Sequence, residues 1–489
     1  MDGNIKTIQV LFIAAEAEPF IKVGGLGDVA GALPKTIRKL SERSSGDYGI
    51  DIRLVIPYHA DIKKRSFAIE KIGEFQVDSI LGQVPCEVYY SNQNGLPVYL
   101  LDSLAINNNS PVYHADPLLD GMKYIFFSKA CLELTKHLKW TIDILHANDW
   151  HTASAIYALK TIYKYDPFFI DTKTILSLHN LPFTGFGAQD ALTKYALPPS
   201  NAPTLPDWAK HSPLPLGLLT ADRIIAVSPN YAKEILTPEF GCGLESFLQT
   251  RSSKIMGILN GIDTDIWNPM QDKEIIFNYD FDTLTSKNKN KTALQAAFNL
   301  ENSQEIPLLT LISRMDPQKG VDIAIRGLQT CIDESWQAII LGTGNPVIEQ
   351  MANDLANEHP AHIKTVTKFD AHLAHQLYAG SDIFLMPSRY EPCGISQMIS
   401  MNYGTIPVAR ATGGLADTIN NYKSNRVDST GFLFTKPYPS TFKYSLQRAL
   451  KLFHQKEIWL RLQLNGMRQD FSWNKSAASY TQVYKSLIN

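Results

Sequence analysis

Short apolar runs alternate with amphipathic stretches along almost the whole chain. Residues 8–15 predict a strand, and the apolar positions of 29–40 recur behind it at helical spacing. Further strands are predicted at 52–56, 97–101, 142–146, 174–178 and 223–227. A second series opens at 307–312 and continues through 336–341, 363–367, 383–386 and 406–408. Unbroken apolar runs separated by helices belong to parallel sheets buried on both faces. Two such series predict an α/β chain of two doubly wound, Rossmann-like domains facing across a cleft.

The junction is expected near 260–269, giving an N-terminal lobe over 1–258 and a C-terminal lobe over 259–470. Within the remaining 471–489, residues 473–487 predict an amphipathic helix that must pack on one of the domains; the N-terminal lobe is the expected place. The Lys-rich run at 287–291 reads as a solvated surface turn, and the Pro-rich 198–215 as a lid or connector. Ligands of open parallel sheets sit beyond the carboxyl ends of the strands, so the residues after each predicted strand are the ones to inspect.

Composition narrows the partners. Lys plus Arg number 46 against 48 Asp plus Glu, so no overall field recruits nucleic acid or an anionic membrane. The five cysteines are dispersed, with no C-x-x-C, which argues against a disulfide framework or zinc site and for a reducing compartment. The apolar run at 10–15 is short for a signal sequence and is closed by Glu16. No apolar window is long enough to span a membrane. A cytoplasmic protein is expected, or a plastid stromal one already stripped of its transit peptide.

Four loops at predicted strand ends carry candidate chemistry. Lys22-Val-Gly-Gly-Leu-Gly-Asp28 follows the first strand, where Gly24, Gly25 and Gly27 permit close backbone approach and the helix beyond offers N–H groups to an anion. It only approaches the dinucleotide fingerprint, and a flexible turn is the plainer alternative. Ser313-Arg314-Met-Asp-Pro-Gln-Lys319-Gly320 opens the second series with two cations suited to a diphosphate, Arg as a fork and Lys as a point charge. Ser388-Arg-Tyr-Glu391-Pro-Cys393-Gly394 sets one carboxylate beside backbone N–H groups at a helix entrance, with helix capping as the structural alternative. Ala411-Thr-Gly413-Gly414-Leu-Ala-Asp417 repeats the glycine turn. In the first series His146-Ala-Asn-Asp149-Trp-His151 and Leu178-His179-Asn180 end two strands. Asp263-Thr-Asp265 has the spacing of a metal-holding D-x-D, but at the junction it reads as a turn; no metal and no cofactor is expected.

These motifs, with Val227-Ser-Pro, Leu259-Asn-Gly-Ile-Asp263 and Trp267, and Phe471-Ser-Trp473, resemble in order and nearly end to end the bacterial glycogen synthases and plant-type starch synthases. That family is one of retaining glucosyltransferases of the two-lobed GT-B fold. The resemblance implies transfer of glucose from ADP-glucose to the non-reducing end of an α-1,4-glucan or maltooligosaccharide. The glucan acceptor would lie on the N-terminal side and the nucleotide sugar on the C-terminal side. By matching motif, Arg314 and Lys319 would hold the diphosphate and stabilise departing ADP. Lys22 and the Gly24–Gly25 backbone would approach the same phosphates on lobe closure. Glu391, helped by the Cys393 and Gly394 N–H groups, would bind the transferred glucose. His179, Asp149 and Asn260 would line the sugar pocket, and Phe369 would stack on adenine.

Three positions depart from the pattern. Ile399 stands eight residues after Glu391, where many GT-B relatives carry a second glutamate, so Glu391 stands alone. Asn148 replaces a common His, which weakens any role for that side chain, and Val23 stands where many bacterial relatives have Thr. The remaining alternatives are the same transfer from UDP-glucose or to another acceptor, and a catalytically silent glucan-binding homologue. A silent homologue would be marked by loss of the diphosphate cations or of Glu391, and all three residues are present.

Overall fold

The computed structural model describes residues 6–43, 48–106 and 111–488. The chain divides into two compact units, one running up to Gly261 and resuming at Trp473, the other covering Ile262–Ser472.

Among the described residues the first unit carries nine strands: β1 (Lys6–Ile13), β2 (Tyr48–Pro57), β3 (Glu70–Ser79), β4 (Gly82–Gln93), β5 (Leu96–Asp102), β6 (Ile144–Asn148), β7 (Lys173–Leu178), β8 (Arg223–Ala226) and β9 (Ile255–Gly257). Their order is β3-β4-β5-β2-β1-β6-β7-β8-β9. From β5 to β9 the neighbours run parallel, while β3 and β4 add an antiparallel edge. The runs read as strands are the central ones, because only strands covered on both faces are apolar throughout. The edge hairpin escaped the reading: β3 buries little beyond Val77, so its pattern is mostly polar.

Behind β1 the helix Gly25–Arg43 buries Leu26, Val29, Ala30, Leu33 and Ile37, a single stripe at three- and four-residue spacing. The final helix, Trp473–Ile488, packs against it and against β1. Tyr480 and Tyr484 are fully buried there, and the Tyr484 hydroxyl lies 2.7 Å from His146 Nδ1. The Pro-rich 198–215 is partly helical, with a tight turn at Asp207–His211 and a helix from Pro213 to Thr220. Leu205, Ala209 and Leu214 pin it to the core.

The second unit carries β10 (Leu308–Ile312), β11 (Gln337–Leu341), β12 (Ile363–Val366), β13 (Ile383–Met386), β14 (Ile406–Arg410) and β15 (Phe432–Phe434), all parallel in the order β12-β11-β10-β13-β14-β15. Alternate β10 residues face opposite layers. Leu309 and Leu311 belong to one buried cluster with Val321, Ile325 and Phe442, while Leu308 belongs to a second with Leu294 and Leu377.

The surface turn expected at 287–291 is overturned. Those residues open the helix Lys287–Ala297, and Lys287 and Lys291 are both buried. Lys287 Nζ donates to the Tyr378 and Ala379 carbonyls at 3.1 and 2.8 Å and to Thr405 Oγ1 at 2.7 Å. Lys291 pairs with buried Asp382 at 2.8 Å. Charge density alone suggested solvent, but carbonyls at the end of the helix Ala371–Gly380 and one carboxylate supply the partners that buried ammonium groups require.

Candidate active site

In the second unit the strand order reverses at β10, which lies between β11 and β13. The loops leaving β10 and β13 at that point open side by side. Their backbones interlock: Arg389 N donates to Gln318 O at 2.7 Å, and the Arg389 guanidinium grips Asp322 with two bonds of 2.8 Å. Gly320 has φ +66°, and an added Cβ there would sit 2.1 Å from Pro387 O. Only glycine allows both that conformation and that approach.

This registry brings Lys319 to Glu391. Lys319 Nζ lies 2.9 and 2.7 Å from the two Glu391 carboxylate oxygens, and Ser388 Oγ donates to one of them at 3.1 Å. Glu391 is 5% exposed, so its charge is compensated inside the protein and it does not cap the helix Ser396–Asn402 that follows. The third loop closes from behind, where Gly413, φ +44°, would place a Cβ 1.9 Å from Glu391 O. A cavity of about 150 Å³ opens here, lined by Ser313, Arg314, Lys319, Ser388 and Ser396 among others. Lys319 sits in a short turn at Pro317–Lys319 ahead of its helix, with Asp316 Oδ1 accepting from its N–H at 3.1 Å. The Arg314 side chain remains two-thirds exposed, 3.0 Å from Asp316. Cys393 is buried beside Gly394, φ +72°, and Phe369, beyond β12, is 87% exposed.

The first unit has the same reversal at β1, between β2 and β6. Asp149, just past β6, holds φ +54°, and its Oδ1 accepts from His179 N at 2.7 Å and Asn180 N at 3.2 Å. Burial pushes its carboxyl up to about 7, opposed by those two N–H groups. Asn148 donates through Nδ2 to Ile13 O at 3.0 Å, which leaves its Oδ1 to accept from His179 Nε2, also at 3.0 Å. The proton is thereby assigned to Nε2 and the lone pair to Nδ1. Burial holds this imidazole down at about 4, so it is neutral near pH 7. Asn148, discounted in the sequence for want of an imidazole, thus fixes the tautomer of His179.

The two other histidines do not join this group. His146 is fully buried between Tyr484 and Ser177, and His151 is packed among Tyr113, Tyr124 and Trp150. Asn260 and Asn180 each hold a buried side-chain oxygen without a hydrogen-bond partner. In the glycine loop Lys22 is 2.6 Å from Asp28. Glu16, which sequence reasoning passed over, takes the Val23 and Gly24 N–H groups. The signal was present: an acid closes the first apolar run of the chain. Asp263 accepts from the N–H groups of Asp265 and Ile266, which makes the D-x-D segment a turn.

The chain matches the family model described as the starch synthase catalytic domain over residues 9–250, and that of glycosyl transferases group 1 over 295–458. A glycogen synthase of Bacillus cereus is 36% identical across 98% of this chain and 100% of its own length. One of Clostridium perfringens is 38% identical across the whole of both. The chain belongs to the glycogen and starch synthase family. The catalytic domain of starch synthase IV from Arabidopsis thaliana, bound to ADP and acarbose, superposes with a TM-score of 0.87 at 28% identity, covering 99% of each chain. A sucrose-phosphate synthase from Thermosynechococcus elongatus, at 15% identity and TM-score 0.61, shares the fold alone. As a glycogen and starch synthase family member the protein is a glycosyltransferase, and its two Rossmann-like units are those of the GT-B fold. Among the described residues no helix is long and apolar enough to cross a membrane.

Proposed function

We propose that the protein elongates an α-1,4-glucan in the cytoplasm, transferring glucose from ADP-glucose to its non-reducing end with retention of anomeric configuration. The observation that carries this reading is the Lys319–Glu391 pair at the edge of the β10/β13 cavity, with Arg314 beside it. A leaving diphosphate develops negative charge as the C1–O bond lengthens, and fixed cations stabilise that charge most where water is scarce. Lys319, held by a carboxylate on one side, still has donor capacity to meet a phosphate oxygen, and exposed Arg314 brings a fork to the same cavity. Glu391 receives the glucose hydroxyls, and Phe369 offers an open ring face to adenine.

In this scheme the C1–O bond to the diphosphate breaks while the acceptor 4-hydroxyl attacks C1 from the same face. The acceptor's proton passes to the departing phosphate oxygen, so no second carboxylate is called for. That fits Ile399, which is buried in the core. In the first unit we assign Lys22 and Gly25 to the donor phosphates; the Gly24 N–H, expected there from the sequence, is taken by Glu16 instead. His179, Asp149 and Asn260 are assigned to the sugar, with His179 Nδ1 accepting from a hydroxyl.

Purified protein given ADP-glucose or UDP-glucose with maltooligosaccharide tests the reading. Elongation with ADP-glucose as the better donor is expected. Faster elongation with UDP-glucose would refute the donor, and folded protein that elongates with neither would be a silent homologue.

A further inference from the structure

The first unit contains a carboxylate that none of these roles uses. Glu16 lies just past β1 and is 1% exposed, and an acid at that depth needs compensation. Its partners are the Val23 N–H, the Gly24 N–H at 3.1 Å from both oxygens, and the Tyr113 hydroxyl at 2.9 Å. An added Cβ at Gly24 would lie 3.3 Å from Glu16 Oε1, whereas one at Gly25 would meet nothing within 4 Å. Two N–H groups of the glycine loop therefore turn inward to the acid. The helix starts at Gly25, and the first N–H groups of any helix have no intrahelical acceptor.

We propose that Glu16 is a positioning residue for the nucleotide-sugar donor, holding the Val23–Gly24 turn so that Lys22 and Gly25 are presented in one orientation to its diphosphate. This rests on the reading that the glycine loop meets the donor phosphates. Glu16 does not itself touch the donor. Its negative charge would repel a diphosphate, and the bond to Tyr113 keeps it facing the interior. Nor is it a latch that phosphate displaces, since release would leave a buried acid without its N–H partners, a state costlier than the bonds gained. The glycine motif offers a run of N–H groups, and the structure withdraws two of them to fix the rest. Ordering the loop during folding removes that cost from binding, so the effect belongs in the donor KM.

Glu16→Gln keeps the size but removes the charge and one of the two acceptor oxygens, so the Val23 and Gly24 N–H groups are left with a single, weaker acceptor. Its KM for ADP-glucose is expected to rise about three- to tenfold, with kcat within about twofold and the maltooligosaccharide KM unchanged. Tyr113→Phe keeps the carboxylate and drops only the third bond, and it should raise the same KM by about two- to threefold. Lys22→Ala reports on the underlying reading. If Lys22→Ala raises the donor KM while folded Glu16→Gln does not, the role of Glu16 is overturned and the reading survives. If neither moves it, both fall. A parallel loss in kcat and both KM values in Glu16→Gln would mark a merely structural residue and also overturn the proposal. Where Glu16→Gln fails to fold, Tyr113→Phe decides alone, and an unchanged donor KM sinks it.

Discussion

At the scale of single residues, two buried carboxylates, Glu391 and Asp149, are met in opposite ways. Lys319 and Glu391 neutralise each other at contact distance, while Asp149 is met, among the described residues, by backbone N–H groups and no cation. Replacing Lys319 by Ala removes the cation meant for the leaving group and strands Glu391. We expect kcat to fall by about a hundredfold or more, measured as ADP release with maltooligosaccharide. An unchanged rate would take Lys319 out of the chemistry. Asp149 makes a pH prediction. Its carboxyl titrates at about 7 in the folded chain against an ordinary 3.8. Between those values the folded state holds more protons than the unfolded one, so stability is lost as pH rises toward 7. Asp149→Asn keeps an oxygen for both N–H groups and cannot ionise. Its Tm advantage over the parent should be larger at about pH 8 than at about pH 5, and an equal advantage at both would contradict the assignment. These residue types were legible in the sequence. Their pairing was not, because Lys319 and Glu391 are 72 positions apart and meet only through the β10/β13 crossover.

At the scale of elements, the buried parallel strands wrote themselves plainly as unbroken apolar runs, and the β3–β4 edge did not. Local pattern failed most clearly at the helix Lys287–Ala297, whose lysines look like surface residues until their partners are known. Lys291→Ala would leave Asp382 in a buried site with the Leu308 N–H as a remaining partner. Breaking a buried pair from one side costs about 3–5 kcal/mol, to be read as a lowered denaturation midpoint. A loss below about 1 kcal/mol would return Lys291 to the solvated surface that the sequence implied.

At the scale of the whole molecule, the first unit is discontinuous in sequence. Its last helix arrives only after the entire second unit has been threaded, and it anchors through Tyr484 to His146. Tyr484→Phe leaves His146 Nδ1 buried without that hydroxyl, at a cost of about 1–3 kcal/mol. The loss should appear as faster amide exchange in β1 and β6, while β10 and β11 keep their protection. Equal loss in both sheets would mean that the helix does not belong to the first unit alone.

The sequence by itself determined what depends on neighbours along the chain: parallel strands from apolar runs, glycine turns at their ends, and the family from the order of those blocks. Tertiary structure decided what depends on distant partners. It gave Lys319 to Glu391, two loop N–H groups to Glu16, the tautomer of His179 to Asn148, and the interior to Lys287 and Lys291. The physical reason is the same each time. A buried polar group is tolerated only where a partner meets it, and the partner's place is set by the strand order, which local pattern does not encode.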